Sequence, residues 1–297
     1  MENSEPVLPS NDYNYPLLTD IVGSTKFKKD LEHILSNILY PQLYSNSGVK
    51  TEKSFLFNGD PGTGKTFSVQ ALRNEVIKSG RECAFLEYSI GSFGTAYINM
   101  GSVTMQQFFD VGHKLTEDGN IVLYFFDEAD AIMGQRGDRH ASKEDDKLLE
   151  TLMTNLQRLH STGKNQYAFF ATNFKERMDK ASIRAGRVDR ILTFELPDKN
   201  ALQQAYNHYI GKIRKQAKYD VFSGLSTIEQ VVAQSEGLCY PDVETIVEES
   251  VRRAIYDSIE SVDTVVKAPV VTESTMLHVL REHRGSRKEN AKTRIGY

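Results

Sequence analysis

The sequence lacks the features that mark secreted, repetitive or membrane-spanning proteins. Its 297 residues include only two cysteines, Cys83 and Cys239, which are too few for a disulfide framework and favour a reducing compartment. No apolar run approaches the roughly 20 residues of a membrane span. Residues 1–14 are polar and acidic rather than a secretion signal, and no internal repeat or low-complexity segment is present. We therefore expect a cytoplasmic protein without membrane insertion.

The composition is that of an ordinary globular protein, with 39% apolar and 26% charged residues. A net charge of −4 gives the whole chain no attraction to nucleic acid or to anionic membranes. The length suits one large domain and one small one. Basic residues concentrate only near the end, from Arg281 to Arg294, where a solvated tail and a binding patch are both open interpretations.

Residues 59–66 read Gly-Asp-Pro-Gly-Thr-Gly-Lys-Thr and fit the pattern G-x-x-x-x-G-K-[ST], which cradles phosphates in nucleoside triphosphatases. An apolar stretch at 53–58 predicts a strand before the loop, and 67–77 predicts a helix after it. Glycines let the backbone close on an anion, and the helix N-terminus adds partial positive charge. Lys65 would meet the β- and γ-phosphates, and Thr66 would hold Mg²⁺. The residues expected to contact the nucleotide here are Asp60, Pro61, Gly62, Thr63, Gly64, Lys65, Thr66 and Phe67.

A second motif follows the apolar run 121–126, which is typical of a strand buried on both faces. The run ends in Asp127-Glu128-Ala129-Asp130, and unpaired carboxylates are costly inside a protein, so they should emerge at the strand's carboxyl end. Ligands of open α/β sheets bind at that end. Asp127 is expected to support Mg²⁺, and Glu128 to polarise the attacking water. For Asp130, a helix-capping role is equally open.

The order of apolar segments indicates an α/β fold in which helices cover both faces of a parallel sheet. Strands are predicted at 54–58, 83–88, 121–126, 167–171 and 190–195. Helices are predicted between them at 66–78, 105–116 and 145–160, and after Pro197 at 200–215, 227–235, 242–258 and 272–283. We expect a flexible arm at 1–19, a large α/β nucleotide-binding domain at 20–196 and a small helical domain at 197–297.

With these motifs in place, the sequence resembles the AAA family of AAA+ ATPases, which contains katanin, spastin, the proteasomal ATPases and the membrane-bound metalloprotease unfoldases. Four further stretches bear the likeness: Phe169-Phe170-Ala171-Thr172-Asn173, the arginine segment 179–190, Asp20-Ile21-Val22-Gly23 and Gly237-Leu238-Cys239-Tyr240-Pro241-Asp242-Val243. The resemblance implies a P-loop sheet followed by a small α-helical lid domain. It also implies ATP and Mg²⁺ as cofactors.

The resemblance assigns further roles. Asn173 would orient the attacking water, while Arg187 and Arg190 would be fingers that reach into the next subunit's site, which implies a nucleotide-dependent ring, in this family a hexamer. Each arginine could instead be a surface charge paired with a neighbour such as Asp189. The residues implied on the adenine side are Ile21, Val22, Gly23 and Asp242. Base packing is less well matched, because Tyr240-Pro241 replaces the family's Gly-Ala pair.

The segment after the second strand resembles the family's pore loop, which has an aromatic–aliphatic–glycine triplet. Tyr97 and Ile98 fit it, and Asn99 replaces the glycine. Such residues would grip a polypeptide substrate in a central pore, although Tyr97 could also anchor a subunit interface.

The leading hypothesis is therefore a ring-forming ATPase that unfolds, threads or disassembles protein substrates, with a possible adaptor. The alternatives are an ATP-driven assembly switch or activase, and a nucleic-acid-linked loader, which the negative net charge disfavours. The chain contains no H-E-x-x-H zinc-protease motif, so we expect no proteolytic centre in it.

Overall fold

A computed structural model describes residues 16–23, 25–88, 101–134, 143–162, 164–178, 187–260 and 268–294. The chain divides into two compact units. One unit contains the residues up to Ile21 together with Thr25–Glu195, and the other contains Val22–Ser24 together with the residues from Leu196 onward.

The first unit is built on a five-stranded sheet in which every neighbouring pair of strands is parallel. The strands are β1 (Ser54–Gly59), β2 (Cys83–Tyr88), β3 (Ile121–Phe126), β4 (Gln166–Thr172) and β5 (Arg190–Phe194). Their order across the sheet is β2-β3-β4-β1-β5. β1 therefore lies between β4 and β5, so the loop that follows it opens beside the carboxyl ends of both strands.

The described residues of this unit form the helices α1 (Thr25–Leu39), α2 (Pro41–Asn46), α3 (Lys65–Lys78), α4 (Gly101–Glu117), α5 (Asp130–Met133) and α6 (Lys143–Ser161). Alternate side chains of the central strands pack into separate cores on the two sides of the sheet. Tyr124 and Phe126 belong to one core, whereas Phe125 and Phe169 belong to the other. The predicted α/β parallel-sheet class is confirmed.

The second unit is helical. It contains α7 (Lys199–Gln216), α8 (Glu229–Ala233), α9 (Tyr240–Glu260) and α10 (Glu273–Arg294). Asp198 caps α7, because its Oδ1 accepts a hydrogen bond of 2.7 Å from the amide of Ala201. The core contains apolar side chains from all four helices, and Val22 packs against it. No helix in the described part of the chain is both long and apolar enough to span a membrane.

Helices α1, α2 and α5 were not predicted, and helix α10 is longer than predicted. In α1, Leu31, Ile34 and Ile38 nevertheless recur at helical spacing and are buried. Helix α10 continues to Arg294 instead of ending near residue 283. Arg284 donates to the carbonyl of Glu236, which fixes this extension on the rest of the unit. That contact joins residues 48 positions apart, so the local pattern gave no sign of it.

Candidate active site

The loop between β1 and α3 has the backbone conformation that its glycines allow. Gly62 and Gly64 have positive φ angles of 75° and 97°, in the region that favours glycine. A Cβ added at Gly59 would lie 2.1 Å from the carbonyl oxygen of Phe194, so β5 also requires a glycine there. Within the loop, the Thr63 hydroxyl donates to the carbonyl of Asp60 over 2.7 Å. The sequence therefore folds here into a tight turn that leads directly into a helix.

Helix α3 begins at Lys65 with no side chain capping its first turn. Its N-cap residue is Gly64, which has no side chain that could accept a hydrogen bond from the first amides. Those amides and the positive end of the helix dipole can interact with an anion. The start of α3 is thus suited to a phosphate group.

The Lys65 ammonium group connects the loop with the end of β4. Its Nζ donates to the carbonyls of Gly59 and Asp60 over 2.6 and 2.9 Å, and to Oδ1 of Asn173 over 2.7 Å. Burial lowers the pKa of Lys65, against the opposing charges of Asp127 and Asp60. Lysine and asparagine are 108 positions apart in the chain. Both were predicted as site residues, but no local pattern indicated that they touch.

The acidic motif follows β3 directly, where the completely buried strand reaches its carboxyl end. The amide of Glu128 donates to Oδ1 of Asp127 over 2.9 Å. Glu128 has a φ of 51° and is the one non-glycine residue with positive φ in the described part of the chain. That conformation costs about 1–3 kcal/mol, and such residues cluster at functional sites. Glu128 is exposed, so solvent water can reach it.

A hydrogen bond joins the ends of β3 and β4. The hydroxyl of Thr172 donates to Oδ1 of Asp130 over 2.7 Å and accepts from the amide of Phe174 over 2.9 Å. Asp130, the first residue of α5, therefore fixes the chain on both sides of Asn173. This contact gives Asp130 a positioning function that the sequence did not reveal.

The polar groups at the carboxyl ends of the strands fit a nucleoside triphosphate with Mg²⁺. Lys65 supplies a positive charge, half-buried Thr66 a hydroxyl and Asp127 a carboxylate, beside an uncapped helix N-terminus. Hard oxygen ligands are those that Mg²⁺ prefers. Together the fold and these groups define an α/β domain that binds nucleoside triphosphates.

The residues predicted on the adenine side separate between the two units. Ile21 is buried in the core of the first unit. Val22 belongs to the second, where its carbonyl accepts from the Tyr240 hydroxyl over 3.1 Å, and Gly23 follows it there. The contact of these three residues with a base stays a prediction.

The Asp242 carboxylate is occupied by other groups of the second unit. It accepts from the amide and thiol of Cys239 over 2.8 and 3.0 Å, from His283 Nε2 over 2.9 Å and from Arg287 Nη1 over 2.5 Å. Burial alone would raise the pKa of Asp242, but these hydrogen bonds and the charge of Arg287 lower it. This carboxylate joins α9 to α10, and its role toward nucleotide stays a prediction.

The two predicted finger arginines have different surroundings. Arg190 forms a bidentate ion pair with Glu52, with Nε–Oε2 and Nη2–Oε1 distances of 2.8 and 2.9 Å. For Arg187, Nε is buried and has no hydrogen-bond partner among the described residues. Arg190 is the first residue of β5, so both arginines lie toward the amino ends of the strands, whereas the phosphate loop follows the carboxyl end of β1. Their action on a neighbouring subunit stays a prediction, as do the pore residues Tyr97 and Ile98, which lie outside the described residues.

Comparison with known proteins gives this domain its family. Residues 55–196 match the family described as "ATPase family associated with various cellular activities (AAA)". The chain contains an ATPase domain of the AAA family, which confirms the resemblance.

Similar curated proteins are the ATP-dependent zinc metalloproteases FtsH of Marinobacter nauticus and Parabacteroides distasonis. They are 26% and 27% identical over 83% and 78% of this chain, and over 36% and 32% of their own lengths. FtsH 1 of Alkaliphilus metalliredigens is 32% identical over 64% of the chain and 31% of its own length. The chain thus spans about a third of the length of these relatives. A closer relation to katanin or spastin stays a prediction.

Proposed function

We propose that this protein hydrolyses Mg²⁺-ATP between the subunits of a hexameric ring and uses the energy to remodel polypeptides. The observation that supports this best is the contact of 2.7 Å between Lys65 Nζ and Asn173 Oδ1. It brings the residue expected on the terminal phosphates against the residue expected to orient water. Asp127 and Glu128 end the strand next to the one that leads to Asn173.

Each residue then has a defined task. Lys65 and the first amides of α3 bind the phosphates, and Thr66 and Asp127 would hold Mg²⁺, which neutralises charge on them. Glu128 accepts a proton from the attacking water, which Asn173 orients. Arg187 and Arg190 of a neighbouring subunit would stabilise charge on the transferring group, an effect worth about 10³–10⁵ in rate. A single subunit would therefore hydrolyse ATP slowly.

ATPase assays with different additives test the proposal. Turnover should rise with an unfolded polypeptide, such as a permanently unfolded, carboxymethylated protein, and should not rise with single- or double-stranded DNA. Lys65→Ala gives the background. Stimulation by DNA alone would refute protein remodelling and support the nucleic-acid alternative.

A second candidate is an ATP-driven assembly switch, which the presence of Asn99 in place of the pore glycine favours. Tyr97→Ala separates the two. A threading motor would unfold a folded, tagged substrate and lose that action in Tyr97→Ala while it retains basal ATPase, whereas a switch would show ATPase without unfolding both before and after the substitution. Unfolding of a fluorescent substrate protein provides the readout.

A further inference from the structure

A polar cluster lies at the sheet edge opposite the phosphate loop. Its centre is Asp189, whose Oδ2 accepts four hydrogen bonds. They come from the amides of Lys53 and Ser54 over 2.7 and 3.0 Å, from the Ser54 hydroxyl over 3.0 Å and from His160 Nε2 over 2.9 Å. Asp189 also donates its own amide to the Ser54 carbonyl over 2.9 Å. The residue before β5 is thereby joined to the start of β1 and to the end of α6.

The hydrogen bonds of His160 define its protonation. Nδ1 lies 2.8 Å from the carbonyl oxygen of Leu156, which can only accept, so Nδ1 carries a proton. Nε2 faces the Asp189 carboxylate, which also only accepts, so it carries a second proton. Only the positively charged ring satisfies both partners. The cluster is not a hydrolytic triad, because Ser54 and Asp189 share the same ring nitrogen.

The cluster adjoins the two arginines assigned to the neighbouring subunit's site. Arg190, directly after Asp189, is engaged by Glu52, which directly precedes Lys53. Two consecutive side chains are therefore attached to the same segment at the start of β1. Arg187, two residues before Asp189, has no such attachment at Nε among the described residues. Asp189 and Arg190, which are held in place, thus determine the position of Arg187 just before β5.

We propose that His160 and Asp189 are positioning residues for the reaction: charged His160 holds Asp189 and thereby places Arg187 against the nucleotide of the next subunit. The proposal rests on the proposed function, in which Arg187 acts in trans. It also revises the role given to Arg190 above: because Arg190 is paired with Glu52 of its own subunit, it anchors the segment, and Arg187 is the arginine that acts in trans.

The hydrogen bond between His160 and Asp189 should weaken at alkaline pH. The hydrogen bond to Asp189 raises the pKa of His160 despite burial, and the Leu156 carbonyl and the Asp189 charge add to this rise. Burial would raise the pKa of Asp189, but the hydrogen bonds from His160 and from the amides lower it. A raised histidine pKa means that the bond is complete at low pH and is lost as pH rises through that value. Neutral His160 keeps its proton on Nδ1, so its Nε2 presents a lone pair to the Asp189 carboxylate and can no longer donate a hydrogen bond.

Other charged groups surround the ring. Lys53, entering β1, donates its Nζ to the carbonyl of Lys164, and burial lowers its pKa to about 8 despite the charge of Asp189. Lys164, before β4, pairs with Glu117 of α4. On the side of β1 and β5, the remaining charged groups are Arg190 and its partners Glu52 and Asp30. On α6 itself, the neighbouring charge is Arg158. Lys53 is the neighbour that could also titrate in alkali, so the experiment must separate it from His160.

The test measures kcat and KM for ATP from about pH 6 to about pH 9.5. Wild-type kcat should fall on the alkaline side, whereas KM for ATP should be the same in the wild type and in His160→Gln at each pH, because both bind the nucleotide with Lys65 of the same subunit. His160→Gln can donate to Asp189 without titrating, so its alkaline fall should disappear. His160→Ala should lower kcat about 10–100-fold at every pH, as small misplacements of catalytic groups do. His278→Gln changes an exposed histidine of α10 and should keep the wild-type profile.

A mixing experiment separates positioning from folding. Lys65→Ala subunits cannot bind nucleotide but retain normal arginines, so mixing them with His160→Ala subunits should restore turnover at the His160→Ala sites. Failure of this rescue would overturn the proposal, as would an unchanged alkaline fall in His160→Gln, which would point to Lys53. If Arg187→Ala retains wild-type turnover, the trans contact itself is wrong and the proposed function fails with it. If Arg187→Ala is inactive but both His160 variants behave as wild type, only this inference fails.

Discussion

The contact between α4 and β3 makes a sharp prediction about stability. A Cβ added at Gly112 of α4 would lie 2.1 Å from Oη and 2.5 Å from Cζ of Tyr124. Carbon atoms normally come no nearer than about 3.5 Å, so ring or helix must move by more than an ångström. Tyr124 is completely buried, with the rings of Phe109 and Phe108 at centroid distances of 4.8 and 5.4 Å. These neighbouring rings oppose a movement of the Tyr124 side chain.

The expected change in the free energy of unfolding on Gly112→Ala follows from two opposing effects. Overpacking a core costs about 1–3 kcal/mol, whereas replacing glycine by alanine inside a helix contributes about 0.5–1 kcal/mol. Gly112→Ala should therefore lower the free energy of unfolding by about 1–2 kcal/mol. Gly101→Ala is the matched control on the same helix. Its Cβ would meet a Leu148 methyl at 3.8 Å, an ordinary contact, so it should be neutral or slightly stabilising.

Urea unfolding followed by circular dichroism measures these differences, since the chain has no tryptophan for fluorescence. A double-mutant cycle with Tyr124→Phe tests the cause. Removing Oη relieves the shortest contact, so the double variant should be less destabilised than the sum of the single variants by at least about 0.5 kcal/mol. Additive costs, or a Gly112→Ala variant as stable as wild type, would refute this account of the α4–β3 packing.

Three further predictions concern the site and the second unit. Lys65→Ala should abolish binding of a fluorescent ATP analogue, while Lys212→Ala on the surface of α7 should leave it unchanged; retained binding in the first variant would contradict the phosphate role. Asp242→Asn should lower the free energy of unfolding by about 1–3 kcal/mol at neutral pH. Because the pKa of Asp242 is lowered, the difference should fade as pH falls through that pKa, and a constant difference in acid would count against the ionised contacts. Burial and the hydrogen bond to Asp242 raise the pKa of Cys239 to about 11. Cys239 in the native protein should therefore react with iodoacetamide at pH 8 roughly a hundredfold more slowly than a free thiol, and rapid labelling would disprove this.

The sheet could be predicted because its strands are short, apolar and continuous. The run 121–126 gave β3 at its true bounds, Ile121–Phe126, since a strand buried on both faces needs no polar residue inside it. Helices α4 and α6 were predicted in place but too short at both ends. Their first and last turns are largely polar, and periodicity locates only the buried face of a helix.

The contacts between distant segments could not be predicted. Lys65 and Asn173 were each recognised from local motifs, but their hydrogen bond depends on the order of β1 and β4 in the sheet. No local pattern marks His160, because its partner Asp189 is 29 residues away. The Glu128 backbone conformation likewise has no sequence signature, since the residue is not a glycine.

The central claim is that ATP is hydrolysed between subunits, and the particle mass of Glu128→Gln tests it most directly. This variant should bind Mg²⁺-ATP, hydrolyse it very slowly and hold the assembly together. Light scattering should then show a particle of about six times the 33.6 kDa of one chain, and larger than the particle without nucleotide. A monomer that persists with saturating ATP would contradict an active site shared between copies of this chain.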